Sequence, residues 1–226
     1  MATEHEIQAL LGAYRRGLFP MADPRRPGSL DWYWPDPRGV IPLTEAEGLH
    51  IPRRLRDRVR SGRFTITADA AFPAVIRACA GPRRDEPASW IDARIIDLYT
   101  GLHRAGHAHS LEAWLGAQLV GGFYGVHIGG AFFAESKFSR PALGGTDASK
   151  VCLAHLLAHL RRRGFTLLDV QFWNPHLEQF GCREIPRSRY IAALAAAVDL
   201  PVSWSRFDAG DATGSICTSR GPYSQD

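Results

Sequence analysis

Lysine is nearly missing from this chain. Lys137 and Lys150 are the only two, and arginine supplies the rest of the 27 basic residues. Cysteine is sparse as well: Cys79, Cys152, Cys182 and Cys217 are scattered, with no Cys-x-x-Cys pair. That spacing argues against a zinc site and gives no disulfide framework. No apolar run approaches the length needed to span a bilayer. The opening residues, MATEHEIQALL, carry acids where a signal peptide carries a basic segment. Internal repeats and low-complexity tracts are absent too. These absences predict a soluble cytoplasmic protein with no membrane contact, expected to be a monomer.

What is present is 226 residues, 45% of them hydrophobic, enough for one sizeable core or two small domains. The net charge is +4, and the positive charge is clustered. IPRRLRDRVRSGR (Ile51 to Arg63) holds six arginines against one aspartate. The planar guanidinium suits phosphate, so Arg53, Arg54, Arg56 and Arg60 form a candidate footprint for a polyanion. A solvated helix face would look the same in sequence.

Hydrophobic spacing predicts helices over Glu4–Arg16 and Arg53–Arg60. FTITA alternates like a strand, and Asp69 then stands where it can cap a helix reaching about Cys79. HSLEAWL, QLVGGFYGVHI and AFFAESKF are strand-like runs divided by glycine turns, the pattern of an antiparallel meander. RPALGGTD leads into a helix from about Ala148 to Arg163, with Thr146 or Asp147 as its cap, and a strand follows. Meander, glycine loop, helix, strand is the order at the centre of acetyltransferase-like folds. The expected class is α/β of the α+β type. A small N-terminal domain (residues 1–62) would precede an acetyltransferase-like (GNAT-type) acyl transferase domain (residues 63–226). GPRRDEPAS reads as a polar link, and the final FDAGDATGSICTSRGPYSQD as partly disordered.

The chemistry concentrates in TLLDVQFWNPH (Thr166 to His176). Thr166, Leu168, Val170 and Phe172 form one apolar strand face, while Leu167, Asp169 and Gln171 form the other. A carboxylate and an amide in so apolar a strand either satisfy each other while tying down a loop or serve chemistry. Glu135 ends the third meander strand and is directed to the same cleft. His155 and His159 lie one helical turn apart, but Leu156 replaces the glutamate of the metalloprotease pattern. They are expected on the solvent face, and no metal is expected. RPALGGT lies where an acetyltransferase cradles the CoA pyrophosphate, although its glycines, 144 and 145, come one place late.

Beyond these local signals, the chain resembles the leucyl/phenylalanyl-tRNA–protein transferases. The matching segments are YRRGLFP, WPDPRGV, SWI, LHRAGHAHSLEAW, LVGGFYGV, ESKFSR, ASK, LLDVQFWNPH and EIPRSRY, in family order from Tyr14 to Tyr190. The resemblance implies transfer of Leu, Phe or Met from aminoacyl-tRNA to the α-amine of proteins beginning with Arg or Lys. It also implies that the product is a degradation signal and that no cofactor is used. By position, Asp169 and Gln171 are the implied catalytic pair and Glu135 the implied active-site acid. Trp90 would stack near the terminal adenosine. Phe123, Phe132, Leu156 and Leu160 are expected to line the donor pocket, with Asn174 also binding substrate.

In this scheme the Asp169 carboxylate orients Gln171 through its amide NH₂, and the Gln171 oxygen receives the attacking amine. The resemblance places Met1 just downstream of the family's usual opening segment. Met21 stands for a usual Trp, Lys137 for an apolar residue, and Phe123 for a common Met, which would narrow the donor pocket toward Leu. Two further readings use the same residues. One is an acetyl-CoA-dependent N-acetyltransferase, and the other is an inactive protein that only binds N-terminal Arg or Lys.

Overall fold

The structure, a computed structural model, describes residues 2–23, 25–26, 28–81, 89–210 and 212. Residues 82–88 of the GPRRDEPAS link and most of the final segment lie outside the described residues. Helix α1 (Glu4–Tyr14) opens with a capping box between Thr3 and Glu6. Strands β1 (Phe19–Ala22) and β2 (Leu30–Tyr33) pair as a separate hairpin. The other strands form one seven-stranded sheet: β3 (Arg38–Ile41), β4 (Thr65–Ala68), β5 (Ala108–Leu115), β6 (Gln118–Ile128), β7 (Ala131–Ser139), β8 (Leu167–Gln171) and β9 (Arg183–Ile185). Their order is β4-β5-β6-β7-β8-β3-β9. Every neighbouring pair is antiparallel except β7 and β8, which run parallel. The fold is therefore mixed α/β with a mixed sheet. Strand β3, from the first 62 residues, is woven between β8 and β9.

The pleat divides the core in two. Phe123, Phe132 and Leu168 join one cluster with helix α5 (Ala148–Arg163) and helix α2 (Arg53–Arg60). Their chain neighbours Tyr124, Phe133 and Leu167 join the other. That second cluster also takes α1, α3 (Phe72–Cys79), α4 (Ala93–Arg104) and α7 (Arg187–Val198). Side chains alternate across a strand, so one run of apolar residues feeds both faces.

Three local expectations need correction. Ala71, not Asp69, is the N-cap of α3; Asp69 sits at φ 59° and accepts a bond from Ser110 N at 2.9 Å. Asp147 occupies the N-cap position of α5 without a capping bond and pairs with Lys150 at 3.0 Å instead. His155 and His159 are buried, 6% and 0% exposed, rather than on a solvent face. The reason is that α5 has the sheet on one side and α2 with the Trp204–Phe207 stretch on the other, so it has almost no wet face. The His159 imidazole meets the Trp204 carbonyl oxygen at 2.8 Å, and burial lowers His155 to about 4.

Candidate active site

The site forms where two parallel strands diverge. The β7–β8 ladder covers only Ala131 to Phe133 against Leu167 to Asp169. Beyond it β7 carries a bulge at Glu135, since Tyr124 pairs with Ser136 but Gly125 with Ala134. The two strands then separate around a cavity of about 360 Å³. Ala134, Glu135, Ser136 and Lys137 line one side, Val170 and Gln171 the other. Trp90, Phe123, Leu153, Asn174 and Leu177 complete it. Asn174 also caps the short helix α6 (Pro175–Glu178), accepting from Leu177 N at 3.1 Å.

Asp169 does not face this cavity. It is 0% exposed and locked by Arg38, itself 0% exposed, which donates from Nε at 2.9 Å and from Nη2 at 2.7 Å. Tyr190 donates to the same carboxylate at 2.6 Å. Arg38 also donates through Nη1 to the Gly17 carbonyl at 2.9 Å, and its guanidinium lies 4.9 Å from the Phe19 ring centre and 4.6 Å from that of Tyr190. The buried pair thus ties α1, β3, β8 and α7 together.

The expected link from Asp169 to the Gln171 side chain is corrected. Asp169 accepts the backbone N–H of Gln171 at 2.8 Å, while the Gln171 amide nitrogen approaches Glu135 Oε1 at 3.5 Å. Gln171 has φ 60°, and Phe172 N bonds back to the Val170 carbonyl at 2.7 Å, closing a γ-turn. That turn ends β8, presents Gln171 to the cavity and leaves Phe172 49% exposed instead of on the expected apolar face. Thr166, at the other end, is exposed too.

The turn rests on Gly39. A Cβ there would lie 2.7 Å from the Phe172 carbonyl carbon and 2.8 Å from Trp173 N. Gly39→Ala is therefore expected to displace Gln171 and cost about 1–3 kcal/mol in denaturant unfolding. Activity should fall at least tenfold, because the shift is aimed at the cavity. Unchanged activity would show that the turn plays no role in the chemistry.

Glu135 carries the strongest electrostatic signature. The Tyr14 hydroxyl lies 2.6 Å from its Oε1 and that of Tyr99 3.2 Å from its Oε2, and the two hydroxyls are in short hydrogen-bond contact, so two tyrosyl protons are shared among three contacts unless Glu135 carries a third. Burial pushes Glu135 up to about 7 and the charge on Asp169 adds to this, against the pull of the tyrosine bonds and Arg38. Burial and the charge on Glu135 keep both tyrosines protonated, so they remain donors. A carboxyl near neutrality in a cavity is a group suited to moving protons at pH 7.

Among the expected site residues, Glu135, Gln171, Trp90, Phe123 and Asn174 meet at the cavity. Phe132, Leu156 and Leu160 do not line it. Each is 0% exposed and packed in the core beneath the sheet, and Leu153, Val170 and Leu177 provide the apolar wall instead. On α2, Leu55 and Val59 are buried, Arg53, Arg54 and Arg60 are exposed, Arg56 is half-buried, and Arg60 pairs with Asp57 at 3.1 Å. Arg38, Tyr190, Tyr14 and Tyr99 carry no local mark of a site role, and Tyr14 and Tyr99 stand in the sequence simply as positions on apolar helix faces. Three of them stood in view, inside WPDPRGV, EIPRSRY and YRRGLFP.

Most of the RPALGGT amides are already engaged within the protein. Gly144 N, Gly145 N and Ala148 N bond to carbonyls of the loop itself, and Ser149 N bonds to Ser139 Oγ at 3.0 Å. A Cβ at Gly145 would lie 2.3 Å from the Val120 oxygen, so this glycine serves packing against β6. Among the described residues no group of three or more His, Cys, Asp or Glu is placed to hold a metal, and no helix is long and apolar enough to cross a membrane.

A cavity between diverging strands thus holds a carboxyl able to exchange a proton near pH 7. Comparison with known proteins narrows the class. The family model for leucyl/phenylalanyl-tRNA protein transferase matches residues 41–195, and that for its N-terminal domain matches residues 6–36. The leucyl/phenylalanyl-tRNA–protein transferase of Hyphomonas neptunium is 52% identical over 88% of this chain and 74% of its own. That of Phenylobacterium zucineum is 51% identical over 89% and 88%, and that of Gluconobacter oxydans 49% over 86% and 84%. Among solved structures, that of L-PGS from Bacillus licheniformis aligns at a TM-score of 0.40 and 10% identity, over 76% of this chain and 55% of that one, too distant to argue from. The chain belongs to the leucyl/phenylalanyl-tRNA–protein transferase family. It is an aminoacyltransferase.

Proposed function

We propose that the protein transfers Leu, Phe or Met from aminoacyl-tRNA to the N-terminal α-amine of proteins beginning with Arg or Lys, marking them for degradation. The observation that carries this reading is Glu135, the one carboxylate among the cavity's described lining residues, held near neutrality beside Gln171. An α-ammonium titrates at roughly 7.7–8.0, within about a unit of Glu135, so passing its proton costs only about 1 kcal/mol. Glu135 takes that proton, the Gln171 amide oxygen orients the free amine, and the nitrogen attacks the ester carbonyl. The C–N bond forms, the C–O bond to ribose breaks, and the ribose oxygen leaves with a proton. Bringing amine and ester together is worth several kcal/mol more.

Asp169 acts one step back, as a positioning residue that holds the Gln171 backbone. The negative charge of Glu135 also suits the cationic end of the acceptor, while Phe123, Leu153, Val170 and Leu177 suit an apolar donor side chain. The exposed arginines of α2 hold tRNA phosphates without reading sequence. The acetyltransferase-like reading of the fold is supported by the β5–β6–β7 meander, then α5, then β8 parallel to β7. The CoA alternative is weakened, because the amides of Gly144, Gly145, Ala148 and Ser149 are already bonded within the protein.

The test is incubation of the purified protein with radiolabelled Leu-tRNA and a protein whose first residue is Arg. Label in the acceptor is the expected result, and none with Leu, Phe or Met donors would overturn the reading. Phe123 sets donor size: Phe123→Met, nearly volume-conserving, is expected to raise the kcat/KM ratio of Phe over Leu donors about tenfold. An unchanged ratio would remove Phe123 from donor selection.

A further inference from the structure

Large aromatic side chains are rarely left in water as a group. Here Trp32, Tyr33, Trp34, Phe172 and Trp173 are 39% to 49% exposed. They come from two chain segments that meet. The buried Phe19 ring stacks on Tyr33 at 5.9 Å and meets Phe172 edge-on at 6.0 Å. Phe172 and Trp173 stand directly between Gln171 and Asn174, both of which line the cavity. At the other end of β1, Ala22 N bonds to the carbonyl of Trp90, another cavity wall, at 3.1 Å. The hairpin therefore bridges cavity and rim over about 10 Å, at roughly 3.3 Å per residue.

Charge favours one kind of occupant. The Arg187 guanidinium lies 4.2 Å over the Trp34 ring and donates to the Trp34 carbonyl at 3.2 Å. The acids of the hairpin region are already engaged: Asp31 by Arg26 at 2.8 Å and Asp36 by Arg187 at 3.8 Å. Aromatics interleaved with arginine suit stacked, unpaired bases and their phosphates. A polypeptide with a cationic first residue gains nothing from Arg187.

We infer that this rim is a stacking platform for the unpaired bases preceding the terminal nucleotide of the donor RNA, an inference that rests on the aminoacyl-tRNA reading above. The platform adds donor affinity outside the reacting cavity.

The test compares two labelled RNA minihelices, one blunt and one with a four-nucleotide 3′ overhang ending in CCA, by fluorescence anisotropy. In Trp34→Ala and Tyr33→Ala, Kd for the overhang RNA is expected to rise about tenfold while the blunt RNA is unaffected, and Trp34→Phe should keep most of the affinity. Donor KM should rise in parallel, with kcat and acceptor KM unmoved. Equal loss for both RNAs, or no loss, overturns the platform. A rise in acceptor KM alone assigns the rim to the polypeptide and overturns it too. The anisotropy measurement needs no turnover, so a protein that bound the overhang but transferred nothing would refute the reaction and leave the platform standing.

Discussion

Arg38→Met is expected to lower stability by about 3–5 kcal/mol and transfer by more than a hundredfold. The cost follows from what remains. Without Arg38, the Asp169 carboxylate keeps only Tyr190 and the Gln171 N–H in a position with no solvent. An uncompensated buried charge is among the most destabilising single changes known, whereas replacing a whole buried pair by apolar residues is often neutral. The double variant Arg38→Met with Asp169→Leu is therefore expected to recover much of the stability in denaturant unfolding. It should not recover transfer, because the Gln171 backbone has lost the acceptor that shapes its turn. Recovery of both would show that the pair is structural alone.

Glu135→Gln should reduce transfer by about a hundredfold or more, within the usual contribution of a positioned base. Wild-type rate is expected to climb as Glu135 ionises through about pH 7 and then level, and the variant should lack that limb. Stability moves the other way. The folded value, about 7, lies above the ordinary 4.5, so the native state binds more protons between them. The stabilisation is complete below about pH 4.5 and is lost as pH rises through about 7. Glutamine stays neutral throughout, so at pH 8 the variant should be more stable than wild type, by on the order of 2 kcal/mol after allowing for partial exposure. At pH 4.5 the two should match. A variant that keeps the rate, or the pH 7 limb, would take the base role away from Glu135.

Much of the layout was readable from residue order. Arg53–Arg60 is a helix, the three runs after Gly106 form the meander, and α5 spans Ala148 to Arg163 as its glycine punctuation predicts. That Asp169, Gln171 and Glu135 would need partners was legible, because polar residues in apolar strands demand one. Their roles were not. Leu156 and Leu160 have the spacing of a pocket wall, yet the pocket opens one turn earlier, at Leu153. His155 and His159 look wet on a helix wheel and are dry because a later segment covers them.

By itself, then, the sequence determined what depends on neighbours in the chain: strand alternation, helix limits, the glycine turns and the motif order that marks the family. The partner of Asp169, the lift on Glu135 and the cavity between β7 and β8 were decided only by the tertiary structure. Arg38 stands 131 residues from Asp169, and Tyr14 stands 121 from Glu135. A bulge and a γ-turn separate strands that would otherwise stay paired. Burial and charge at a site are sums over residues brought together by folding, and no window of sequence contains them.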